Sequence, residues 1–167
     1  MIRKLCFLFA LWVAVFGLSG CQTAPEKPKE LSAEEIRALT LKQEGFVESE
    51  EGWEFSASEK LLFGANEAAL VPEAREAVER IARMLVKLEI PAVRVDGHTD
   101  ATGSASYNDK LSLRRAQAVA DVLVAAGIPA DNIEVRGLGS RAPVASNQTD
   151  EGRSQNRRVV LVIILGS

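Results

Sequence analysis

Residues 93–137 read VRVDGHTDATGSASYNDKLSLRRAQAVADVLVAAGIPADNIEVRG, and their pattern decides the fold. Val93-Arg94-Val95-Asp96 is a short β-forming run that ends at Gly97, which predicts a strand. From about Asn108 to Ala126 apolar residues recur at helical spacing, and Gly127 followed by Ile128-Pro129 supplies the stop. Ile133-Glu134-Val135-Arg136 then gives a second strand.

Working outward, Val71-Pro72-Glu73 opens another helix, because proline fits a first helical turn. Its apolar stripe runs through Ala74, Ala77, Val78, Ile81, Leu85 and Leu88. Downstream, Arg158 to Leu165 is almost all β-branched and apolar, so a strand buried on both faces is expected. Upstream, Phe46-Val47 and Trp53-Glu54-Phe55 flank Glu50-Glu51-Gly52, which reads as a small hairpin. Before it, Ser32 and Glu35 make a capping-box pattern for a short helix that carries Ile36 and Leu39 and stops at Gly45. The order β-α-β-α-β-β predicts an α/β (α+β) fold, a mixed sheet covered by helices.

The N-terminus is of another kind. Arg3 and Lys4 precede an apolar run from Leu5 to Leu18, too short for a stable membrane span but suited to a cleaved leader. Leu18-Ser19-Gly20-Cys21 resembles the lipobox of bacterial lipoproteins, which implies that Cys21 becomes the first mature residue and carries the lipid. A plain leader that happens to contain Cys21 is the alternative. Residues 22–30 (QTAPEKPKE) hold two prolines, alternating charge and almost no apolar surface, so they form a tether. The expected organisation is a signal peptide over 1–20, the lipidated cysteine and tether over 21–30, a helix and hairpin segment over 31–52, and a folded domain over 53–167. Both cysteines fall at or before position 21, so no structural disulfide is expected. The net charge of −3 becomes −5 once Arg3 and Lys4 leave with the leader, which argues against nucleic acid as a partner.

The chemistry concentrates in Asp96-Gly97-His98-Thr99-Asp100, the polar loop Ala101-Thr102-Gly103-Ser104 and the helix that follows. Arg115 lies four residues after Leu111 and four before Val119, so it projects on the apolar stripe, while Arg114 points elsewhere. An arginine aimed at a core edge is costly unless an anion meets it. One reading is an internal Arg115–Asp100 salt bridge. The other is a zwitterionic ligand, with its carboxylate held by Arg115 and its ammonium by Asp100, and with N–H groups near Gly103 as further donors.

The run GHTD-x-x-G over 97–103, then Tyr107-Asn108, Leu111-Ser112-x-x-Arg115-Ala116, Gly137-x-Gly139, Pro143 and Asn156-Arg157-Arg158-Val159 resembles the OmpA-like C-terminal domain family. The likeness covers roughly Trp53 to Leu165. It implies non-covalent binding of peptidoglycan through the meso-diaminopimelate side chain of the stem peptide. Asp100 and Arg115 fall on the family's two chief ligand-binding positions, Gly103 on the loop that donates backbone N–H groups, and Asn66 beside the pocket. Arg157 and Arg158 read as sheet-edge ion pairs that set the fold, with a supporting Arg157–Asp100 contact left open.

Within the family the short lipoprotein layout is similar to a sensory branch. That resemblance implies capture of a periplasmic repressor of the YfiR type, which frees an inner-membrane diguanylate cyclase and raises cyclic di-GMP. Leu39, Phe46, Trp53 and Phe55 exceed what a tether needs, so the segment Leu31–Phe55 is the candidate partner surface. The alternative for Trp53 and Phe55 is that they finish the domain's own core. Gln22 after the lipidated cysteine favours the outer membrane, with the domain facing the periplasm. The rival function is a structural anchor between outer membrane and cell wall, without signalling.

No enzymatic activity and no cofactor are expected. Asp96, His98 and Asp100 alternate on one face in the manner of a metal site, but His98 is the chain's one histidine and no cysteine joins it. His98 reads instead as a hydrogen-bonded structural residue. There is no GxxxxGK[ST] phosphate cradle and no G-x-S-x-G elbow.

Overall fold

The computed structural model describes residues 30–64 and 67–164. The leader, Cys21, the tether as far as Lys29, and Asn66 lie outside the described residues. The first helix, α1 (Ala33–Gln43), begins with the capping box its sequence announces. Ser32 Oγ accepts from the Glu35 N–H at 3.1 Å, and the Glu35 carboxylate accepts from the Ser32 N–H at 2.7 Å. Gly45, at φ +90°, lets the chain turn out of the helix. A hairpin of β1 (Val47–Ser49) and β2 (Gly52–Ser58) follows, then a single turn α2 (Glu59–Leu62) and the long helix α3 (Pro72–Lys87), with Pro72 in its first turn.

The deciding stretch folds as β3 (Val93–His98), α4 (Ala105–Ala125) and β4 (Ile133–Gly139), with β3 and β4 parallel. Helix α4 starts three residues before the expected Asn108, because the Ser104 side chain caps it by accepting from the Tyr107 N–H at 3.2 Å. A seven-residue helix α5 (Asp150–Asn156) intervenes before β5 (Arg158–Ile163) and was not expected. Its start is written in Thr149, whose hydroxyl accepts from the Gly152 N–H, and in Asp150 and Glu151 in the first turn.

The sheet runs β1-β2-β5-β3-β4 and is antiparallel except for β3–β4, the mixed sheet the element order predicts. Helices α3 and α4 pack on one face, where Val78, Ile81, Leu85, Val119 and Leu123 meet Val95, Val159, Leu161 and Ile163. On the other face Val160 and Val162 are buried too, as expected, but without helices over them. In register they sit between Ser56 and Asp96, and between Glu54 and Arg94. Arg94, hydrogen-bonded to Asp96 and Glu51, lies across that face, so the stem of a long charged side chain does the covering.

The expected boundary between residues 52 and 53 is not a structural one. Residues 31–164 belong to one compact unit, and β2 runs three residues past the hairpin reading to become an inner strand of the sheet. Phe46 and Trp53 are 3% and 4% exposed and belong to the core with Leu41, while Phe55 packs against it. This corrects the partner surface: of its four residues only Leu39, at 46% exposure, is open. Phe46 packs against Phe55 of β2 with ring centroids 5.3 Å apart, and Lys42 Nζ of α1 lies 5.5 Å above the Trp53 ring.

Candidate ligand-binding site

The site lies where β2 and β3 end and β5 begins, on the same edge of the sheet, beside the first half of α4. The loop after β3 is placed by a close approach of backbones. A Cβ on Gly97 would stand 2.1 Å from the Ser112 carbonyl oxygen, so only glycine lets β3 run against α4. Ser112 Oγ in turn accepts from the Gly139 N–H at 2.9 Å, and the Thr99 N–H donates to the Gly139 carbonyl. Asn108, buried on α4, donates to the carbonyls of Asp100 (3.3 Å) and Thr102 (3.0 Å) and so folds the loop over the helix start. Gly103 takes φ +88° at the loop's apex with open space around it, and its N–H has no acceptor among the described residues.

A second tie comes from Asn156 at the end of α5, which is fully buried. Its Oδ1 accepts from the Val144 and Ala145 N–H groups at 2.8 and 3.0 Å, and its Nδ2 donates to the Ala145 carbonyl and to Asn147 Oδ1. Asn147 Oδ1 also accepts from the Ala101 N–H at 3.0 Å, which links the loop before β5 to the loop after β3.

Within this frame lies a cleft of about 390 Å³, lined among others by Glu59, Asp100, Thr102, Tyr107, Arg115 and Arg157. Asp100 and Arg115 are 8% and 3% exposed, and both face it. They are not paired with each other, so the internal Arg115–Asp100 bridge is not formed. Arg115 Nη2 donates to Glu59 Oε1 at 2.6 Å and its Nε to the Glu67 carbonyl at 3.2 Å, with the guanidinium 5.2 Å above the Phe63 ring. Asp100 Oδ2 accepts from Arg157 Nη1 at 2.6 Å, and Oδ1 accepts from the Thr102 N–H at 2.8 Å. Arg157 Nε stands 3.1 Å from Glu59 Oε2. The four charges therefore alternate in a chain, Arg115–Glu59–Arg157–Asp100. Burial alone would raise the Asp100 carboxyl, but the Arg157 and Thr102 hydrogen bonds outweigh it and hold it below the ordinary carboxylate range.

Of the residues expected at the site, Asp100 and Arg115 line the cleft and the Arg157–Asp100 contact left open is made, while Gly103 stands in the same loop but not among the residues that line the cleft. Glu59 is the participant that sequence reasoning missed. It sits in a charged stretch, Ser58-Glu59-Lys60, with nothing local to single it out, and it reaches Arg115 across 56 residues. His98, expected to be a hydrogen-bonded structural residue, is buried, but its Nδ1 has no hydrogen-bond partner, and burial, with Arg158 nearby, lowers its pKa to about 4. Asp96 and Asp100 have separate arginine partners, Arg94 and Arg157. Among the described residues no group of three His, Cys, Asp or Glu side chains is placed to hold a metal ion.

The OmpA family profile matches residues 62–157. The outer-membrane lipoprotein YfiB of Pseudomonas aeruginosa is 51% identical over 154 residues, covering 92% of this chain and 90% of that protein. The putative lipoprotein YfiB of Escherichia coli is 40% identical over 147 residues, covering 87% and 89%. Among solved structures, the cell wall anchor of the type VI secretion system from Pseudomonas aeruginosa superposes with a TM-score of 0.63 at 30% identity, over 80% of this chain and 98% of that one.

Proposed function

The chain belongs to the OmpA family, and from that premise we propose that it holds peptidoglycan without covalent chemistry, gripping the meso-diaminopimelate side chain of the stem peptide. It is an outer-membrane lipoprotein, with residues 1–20 as its leader and the lipid on Cys21. The observation that carries the binding role is the cleft itself. A buried carboxylate and a buried guanidinium face the same space, and the free end of diaminopimelate is one ammonium and one carboxylate. Arg115 takes the carboxylate, Asp100 the ammonium, and the Gly103 N–H adds a donor. Asn66, outside the described residues, stays in the proposal on the family resemblance alone.

The likeness to YfiB supports a finer reading, that the protein captures a periplasmic repressor of the YfiR type, thereby releasing a YfiN-type diguanylate cyclase and raising cyclic di-GMP. With Phe46 and Trp53 in the core, the surface for such a partner is the outer side of α1. Ile36 and Leu39, one turn apart, are both exposed, as is Leu31 just before the cap. The burial of the hairpin aromatics equally suits a plain wall anchor, and the two readings part in a single experiment.

The mature lipoprotein in detergent micelles is titrated calorimetrically with a diaminopimelate muropeptide and with a lysine-type muropeptide. Asp100→Ala and Arg115→Ala are each expected to weaken the first by tenfold or more, since a charge-assisted hydrogen bond contributes about 1.5–3 kcal/mol. The lysine-type ligand, lacking the carboxylate, should bind the wild type as poorly. Undiminished binding by both variants would return these residues to a structural role. Ile36→Asp with Leu39→Asp should abolish repressor capture and leave muropeptide binding intact; capture that survives leaves the anchor reading.

A further inference from the structure

We infer that Glu59 is an internal stand-in for the ligand's carboxylate, and that by occupying Arg115 in the empty cleft it makes the site demand a ligand carrying both charges. The inference rests on the diaminopimelate reading of the cleft and adds the residue that sets its selectivity.

Arg115 is almost wholly buried, and a guanidinium in that position without an anion is strongly unfavourable. Glu59 Oε1 supplies the anion at 2.6 Å, the role a ligand carboxylate would take on the same fork. At the other end of the chain Arg157 holds Asp100 at 2.6 Å, the role of the ligand's ammonium. Both ligand-facing groups are thus already satisfied. The two stand-ins also face each other. Glu59 Oε2 lies 3.1 Å from Arg157 Nε, yet this buried oxygen accepts no hydrogen bond, so the pair is close but not aligned.

That geometry defines an exchange. The ligand carboxylate displaces Glu59 from Arg115, the ligand ammonium displaces Arg157 from Asp100, and the released Glu59 and Arg157 close on each other. Arg153, which also lines the cleft, is neutralised by Asp150, so charge is balanced before and after: the remaining two carboxylates and two guanidiniums receive one anion and one cation. A ligand with a carboxylate alone brings a third negative group against two positive ones, and a buried charge without a partner weakens binding severely. Removing the Glu59 charge inverts the count: two guanidiniums then face Asp100 alone, and a carboxylate without an ammonium restores neutrality.

The test uses the mature lipoprotein in detergent micelles and two probes, a diaminopimelate muropeptide and the same muropeptide acetylated on the side-chain ammonium. Wild type should prefer the first by at least tenfold. Glu59→Gln, which keeps shape and loses charge, should bring that ratio close to one by tightening the acetylated ligand. Adding Arg157→Gln to it restores the balance of one carboxylate against one guanidinium, and the preference should return. An unchanged ratio in Glu59→Gln, or equal weakening of both ligands, would overturn the inference and make Glu59 scaffold. Should Glu59→Gln fail to fold, Arg157→Gln alone reads the same charge count from the other side. It should favour a muropeptide whose diaminopimelate carboxylate is amidated, and no such gain overturns the inference. If wild type binds neither probe, the diaminopimelate reading itself falls, a result distinct from all of these.

Discussion

Replacing Asn156 by alanine should destabilise the folded unit by about 3 kcal/mol, although the residue touches no ligand. Its side chain makes four hydrogen bonds, two accepted from the Val144 and Ala145 N–H groups and two donated to the Ala145 carbonyl and Asn147 Oδ1. Each group left buried without a partner costs about 1–3 kcal/mol. Val144 is exposed and Ala145 and Asn147 are half-buried, so water can recover part of that loss, and two or so full penalties remain. With a urea slope of about 2 kcal/mol/M, the unfolding midpoint should fall by about 1.5 M at nearly constant slope. The control is Asn156→Asp, which keeps both accepted bonds but sets an oxygen against the Ala145 carbonyl and Asn147 Oδ1. It should be destabilised to a similar degree. A loss below about 1 kcal/mol in both variants would refute the reasoning, because the bonds would then be replaceable by solvent.

His98 and Gly97 yield two further tests. The His98 imidazole drops from an unfolded value of about 6.5 to about 4, so the folded state favours its neutral form. The contribution is complete above pH 6.5, shrinks as pH falls through 6.5 towards 4, and amounts to about 3 kcal/mol over that window. Chemical denaturation at pH 7 and pH 4 should show wild type losing about that much more than His98→Asn; equal losses would mean that the imidazole takes up its proton as readily in the folded state as in the unfolded one. Asp100, held below its ordinary range, adds acid sensitivity only under still lower pH, and Asp96, raised by burial, opposes it. For Gly97→Ala, a Cβ 2.1 Å from the Ser112 carbonyl forces β3 and α4 apart by about an ångström, at a cost of about 3 kcal/mol or more. Gly103→Ala meets open space and should cost only the strain of φ +88°, about 1 kcal/mol. Thermal unfolding of the two variants side by side checks the order, and equal losses would contradict the close approach.

What was legible in the sequence is what local physics writes. Ser32 with Glu35, Pro72, Gly127 and the apolar stripes of α3 and α4 each act within a turn or two, so the helices and strands around residues 93–137 could be read directly. Arg115 was visible for the same reason, since its place on an apolar stripe is a matter of helical period. The partners were not. Glu59 meets Arg115 across 56 residues and Arg157 meets Asp100 across 57, and no periodicity connects such positions before the sheet order is known. The inner part of β2 was hidden because Ser56-Ala57-Ser58 has little β preference and is held in place by β5 rather than by its own side chains. Phe46 and Trp53 were misplaced because an aromatic in a hairpin looks the same whether a helix covers it or a partner does.

The cleft also explains why Glu59, Asp100 and Arg157 sit where they do. They lie at the ends of β2, β3 and β5, three neighbouring strands in the order β2-β5-β3, and Arg157 from the central strand reaches both outer ones. The ion pairs that neutralise the empty site are therefore the ties between strand ends, reinforced by the Glu59 N–H bonded to the Arg157 carbonyl at 2.9 Å. A wall ligand that replaces some of these ties must supply equivalent ones, and a zwitterion does so while a single charge leaves a strand end unpaired. Under the exchange we propose, selectivity for the two-charge ligand and integrity of the strand ends are for this reason the same requirement.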